Sequence, residues 1–111
     1  MNDLQIQQLR EHVSKHFTPE QITFSQAVSV CSVMIEMGLQ RASLEDVTDG
    51  LEQRFQGTME RDHIQDVADH AIKFGLEIGL FESVDTETIT LSTNGMFVGR
   101  DWLCRMYQEA A

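Results

Sequence analysis

Two sets of histidines are spaced so that a metal ion could be held. His12 and His16 lie four residues apart, and His63, Asp66 and His70 recur at steps of three and four. Imidazoles one helical turn apart can converge on a divalent cation, but such a centre needs a further strong ligand, and the sequence fixes none. Both sets flank or oppose apolar stripes. The expectation is solvated imidazoles whose protonation in acid lessens nearby negative charge, with no metal or other cofactor; a metal- or ligand-sensing role stays as a weaker alternative. Cys31 and Cys104 stand far apart among apolar neighbours and lack Cys-x-x-Cys spacing, which reads as two buried thiols rather than a disulfide or a metal pair. The chain has no glycine-rich phosphate loop and no nucleophile spaced to meet a base, so catalysis is not expected.

What the sequence has in quantity is carboxylate. Asp and Glu number 18 against 8 Lys and Arg, a formal net charge of minus 10. The excess is uneven: residues 43–87 hold twelve acids and three bases (Arg54, Arg61 and Lys73), a net of minus 9, which leaves minus 1 for the rest. Such a surface disfavours polyanionic partners, whether nucleic acid or anionic membrane, and favours neutral or basic ones. The acids that stand out for contact with a basic partner are Glu60, Asp62, Asp66, Asp69, Glu82 and Asp85.

These residues need elements to position them. With 111 residues, 41% of them apolar, the chain can bury the core of one small domain spanning residues 1–111. The longest apolar run, Ala27 to Leu39, is interrupted by Ser29, Ser32 and Glu36 and is too short to cross a bilayer. MNDLQIQQLREH has no signal-peptide pattern, so a soluble, cytoplasmic protein is expected. Ile6, Leu9, Val13 and Phe17 mark an amphipathic helix from Asp3 to Phe17. Thr18-Pro19-Glu20-Gln21 is a capped start for a second helix, with another candidate start at Thr23, and Gly38 is its stop. That second helix is apolar around most of its circumference, leaving Ser25, Ser29, Ser32 and Glu36 as a thin polar stripe; it is either the central helix of the core or partly a dimer face.

Ser43-Leu-Glu-Asp46 starts a third helix that presents Leu44, Val47, Leu51 and Phe55. Thr58 is read as the cap of a fourth, ending near Gly79, with Ile64, Val67, Ala68, Ala71, Ile72, Gly75 and Ile78 inward and His63, Asp66, His70, Lys73 and Glu77 outward. Gly75 marks a close contact or an early end. Phe81–Val84 and Thr88–Leu91 then read as a hairpin around Asp85-Thr86-Glu87. Ser92 or Thr93 caps a last helix anchored by Trp102, Leu103 and Met106.

This order, together with Phe74-Gly-Leu-Glu-Ile-Gly-Leu-Phe81 and Ile89-Thr-Leu-Ser-Thr-Asn-Gly95, resembles the winged helix-turn-helix superfamily over most of the chain. The resemblance implies a mainly α domain with a small β-hairpin: a winged helix-like fold with an N-terminal helical extension (1–20), a wing (79–93) and a C-terminal helix. It makes the fourth helix a recognition helix that presents Glu60, Arg61, Asp62, His63, Asp66 and Asp69. Yet the wing has neither Lys nor Arg. Two functional expectations follow. One is a protein-interaction or regulatory module that shows a DNA-like negative surface to a basic or nucleic-acid-binding protein. The other is a dimeric DNA-binding transcriptional regulator that uses Arg54, Arg61, Lys73 and Arg100 on phosphates, the second and last helices being candidates for the homodimer contact.

Overall fold

The computed structural model describes residues 3–5, 7, 8, 11 and 18–110; among the first of these, Asp3, Leu4, Gln5, Gln7, Gln8 and Glu11 are helical. The stripe Ile6, Leu9, Val13 and Phe17 and the pair His12 and His16 lie outside the described residues. Helix α1 spans Pro19–Glu36. Thr18 and Gln21 close a reciprocal capping box at its start: the Gln21 N–H donates to Thr18 Oγ1 at 3.1 Å and the Thr18 N–H to Gln21 Oε1 at 2.8 Å. At its end Gly38 adopts φ +69°. The N–H groups of Gly38 and Leu39 return to the Ile35 and Met34 carbonyls, satisfying two groups that every helix end leaves open.

Helix α1 is the axis of the molecule. Helices α2 (Leu44–Arg54), α3 (Arg61–Ile78) and α4 (Thr93–Ala110) all pack on it. Ala27, Val28, Val30, Cys31, Ser32, Val33 and Met34 are buried as a result, which accounts for a helix apolar on nearly every side. Helix α4 crosses closely because residue 99 is glycine. A Cβ there would stand 2.7 Å from Ile35 Cδ1 and 3.1 Å from the Cys31 backbone. Gly75 serves the same purpose on α3, since the Phe81 ring occupies the place a Cβ would take.

Three short strands complete the fold: β1 (Ala42–Ser43), β2 (Phe81–Ser83) and β3 (Thr88–Leu91), antiparallel in the order β1-β3-β2. Phe81 pairs with Leu91 and Ser83 with Ile89 in the hairpin, while Ala42 pairs with Ile89 across the other edge. The third strand was not expected. Two residues leading into a helix cap carry no alternation to read, and they become a strand only because β3 is brought alongside. Among the described residues no helix is long and apolar enough to cross a membrane.

Three further expectations are corrected. Helix α3 begins at Arg61 with Glu60 as its N-cap, not at Thr58, whose hydroxyl instead donates to the Phe55 carbonyl at 2.6 Å. Ile78 is exposed, because Gly79 turns the chain at that point and Leu80 and Phe81 enter the core in its place. Cys104 is exposed, since α4 meets the rest of the fold through Gly95, Val98, Gly99, Trp102, Leu103 and Met106 and Cys104 falls on another side. Cys31 is buried as expected, and loss of water pushes its thiol pKa up to about 12.

An acidic face and groove along α3 and the hairpin

Helix α3 buries Ile64, Ala68, Ala71 and Gly75, and so turns its other residues outward. Asp62 and Asp66 are exposed one turn apart, and the same side continues through Asp69 to Lys73. Glu60 makes no side-chain capping bond, but a carboxylate at this end of a helix meets the positive pole of the backbone dipoles. His63 and His70 are exposed, and no group of three or more metal-ligating side chains occurs among the described residues.

Between α3, the start of α2 and the hairpin runs a groove of about 530 Å³. Leu44, Ile72, Leu76 and Ile89 supply its apolar lining, while Glu45, Asp69, Asp85 and Glu87 bring carboxylates to it. Of the six acids singled out from sequence, the groove gathers only Asp69 and Asp85. Asp62 and Asp66 lead toward it along α3. Glu82 does not join them: alternation along β2 sets it on the opposite face of the sheet from Ser83, which lines the groove. Glu45 and Glu87, absent from the sequence-based set, belong to the groove. Their charge was countable, but their proximity depends on β1 pairing with β3 across half the chain.

Asp85 has a structural task as well. Its Oδ1 accepts from the Glu87 and Thr88 N–H groups, each at 2.8 Å, and so closes the hairpin turn. The Glu87 N–H, with the Thr88 contacts and the charge of Arg41, holds this carboxyl below its ordinary pKa.

The cations proposed for DNA contact are mostly engaged elsewhere. Arg61 forms ion pairs with Asp49 at 2.8 Å and with Glu52 at 2.6 Å, and hydrogen bonding to these two carboxylates, Glu52 foremost, raises its pKa. Lys73 Nζ lies 2.9 Å from Asp69. Arg54 turns inward: its side chain is only 15% exposed, Nη1 donates to Ser32 Oγ at 2.6 Å and to the Ser29 carbonyl at 3.4 Å, and Nη2 stands 3.7 Å from Glu36. The thin polar stripe of α1 is therefore the seat of Arg54. Tyr107 closes the cluster from α4 by donating to Glu36 Oε2 at 3.1 Å, a bond that raises the phenol pKa. Arg100 is exposed on α4, outside the α3–hairpin face, and pairs with no acid among the described residues.

No family model, curated protein or solved structure matches this chain.

Proposed function

We propose that the chain is a winged helix-like protein-interaction or regulatory module whose α3–hairpin face captures a basic or nucleic-acid-binding partner protein. The observation that carries this reading is the fate of the cations in residues 43–87: Arg61 is paired with Asp49 and Glu52 of α2, Lys73 with Asp69 of its own helix, and Arg54 is turned toward α1. Glu60, Asp62, Asp66 and Glu82 have no such partners among the described residues. An approaching phosphate backbone would meet repulsion, and a basic surface would be steered in. The winged helix-like reading is supported by the sequence of α2, turn, α3, hairpin and α4 around α1, and by the small sheet that ties the hairpin to the strand before α2. Of the four cations on which the alternative, a DNA-binding dimer, relies, Arg100 alone pairs with no acid among the described residues, and it lies on a different helix.

Fluorescence anisotropy at low ionic strength, the condition most generous to phosphate contacts, tests the choice. Labelled random duplex DNA is expected to stay free while a labelled lysine-rich polypeptide binds and is released by salt. Salt-sensitive binding of the duplex would sink the proposal.

A further inference from the structure

The acidic face is not uniform, and its one concave part differs in chemistry from the rest. Asp62 and Asp66 project from a convex helix, where charge attracts without orienting. The groove beside them has an apolar floor under an acidic rim, and its 530 Å³ falls within the roughly 300–1,000 Å³ typical of ligand clefts. Resting on the reading above, we infer that this groove is the docking site, and that it takes a short extended segment of the partner in which Lys or Arg alternates with aliphatic side chains.

Three observations fit that occupant. An extended chain sends successive side chains to opposite sides, so its aliphatic residues face Leu44, Ile72, Leu76 and Ile89 while its basic residues reach the rim. The rim acids come from three separate elements: Glu45 from α2, Asp69 from α3, and Asp85 and Glu87 from the hairpin turn. They therefore border the floor from several directions, which matches charges distributed along a segment rather than a single cation. Finally, the groove already holds an ammonium. Lys73 reaches Asp69 at 2.9 Å with its side chain 72% exposed, so an incoming Lys can take the same carboxylate and release Lys73 to solvent.

The test compares two end-blocked, labelled peptides of equal charge, one alternating Lys with Leu and the other Lys with Ser, by anisotropy over a salt series. Two double reversals alter the net charge equally: Glu45→Lys with Glu87→Lys in the groove, and Glu60→Lys with Glu82→Lys outside it. All four positions are exposed, and melting curves verify that the variants fold. The groove pair is expected to weaken the Lys–Leu peptide by about tenfold or more, and the outside pair by about threefold, through loss of steering alone. Leu76→Ser is expected to weaken the Lys–Leu peptide and leave the Lys–Ser peptide unchanged. Equal weakening by the two reversals, with no effect of Leu76→Ser, would overturn the groove and leave the acidic face standing as the binding surface. Failure of both peptides to bind unmodified protein at low salt would overturn both readings.

Discussion

The α1–α4 side of the molecule and the α2–α3–hairpin side use polar residues in opposite ways. On the first, Ser29, Ser32, Glu36 and Tyr107 turn toward one another, and Arg54, borrowed from the second, is drawn in to complete the cluster. Its polar groups are engaged with one another, from buried Ser32 out to exposed Glu36 and Tyr107. On the second, the remaining cations are paired with acids at the surface, and carboxylates are left facing water. A count of charges would treat Arg54 and Arg61 alike. Their surroundings differ: one is a bolt between helices and the other a local neutraliser, and neither is free for a phosphate. The difference teaches that a charged residue near a candidate interface belongs to it only if its own fold has not already engaged it.

Perturbing each side should move different observables. The largest effect is expected on the α1–α4 side from Gly99→Val, whose side chain has no room against Ile35 and the Cys31 backbone. Overpacking of this kind costs about 2–3 kcal/mol, so the melting temperature should fall by roughly 10 °C. Arg54→Ala should follow with about 2 kcal/mol, read from denaturant unfolding, because it removes a charged donor from the half-buried Ser29–Ser32 seat. If Arg54→Ala were as stable as the parent but altered binding, the contrast between the two sides would break down.

On the other side, Asp85→Asn should destabilise less, and in a pH-dependent way. Asp85 has its folded pKa below the unfolded value of about 3.9, so its contribution is fully present above about pH 4 and is lost as pH falls through the folded pKa. Melting curves of parent and variant should therefore differ at neutral pH and converge in acid. Asp62→Lys with Asp66→Lys should leave stability within about 0.5 kcal/mol, while weakening capture of a lysine-rich polypeptide by about threefold at low salt through loss of steering. The mildest probe changes no residue: a thiol reagent under native conditions should modify Cys104 and spare Cys31, which is buried and stays protonated, and unfolding should then expose the second thiol.

Much of the fold was legible because the signals that start and stop its helices are local. The boxes at Thr18 with Gln21 and at Ser43 with Asp46, the left-handed glycines at Gly38 and Gly79, and the Ser92 cap with its bond from the Gly95 N–H all lie within a few residues of the helix ends they control. Where local signals competed, the reading failed. Thr58 had the right side chain for a cap, but the chain uses it to close the turn after Phe55. The candidate site was legible as an amount of charge and not as a shape. Asp62 and Asp66 could be placed on an outward stripe by periodicity, whereas Glu82 could not be separated from Asp85 without the direction of the pleat.

The sequence by itself determined the helix order, the hairpin, the apolar α1 and the minus 9 concentrated in residues 43–87, because caps, periodicity and charge depend on neighbours a few residues apart or on none. Only the tertiary structure decided that β1 joins the hairpin, that Arg54 is withdrawn onto α1, and that Glu45, Asp69, Asp85 and Glu87 surround one groove. Each of those depends on segments distant in sequence being carried together. The force that brings them together, burial of α1 beneath α2, α3 and α4, has no direction of its own and leaves pairing to the shape in which the core closes.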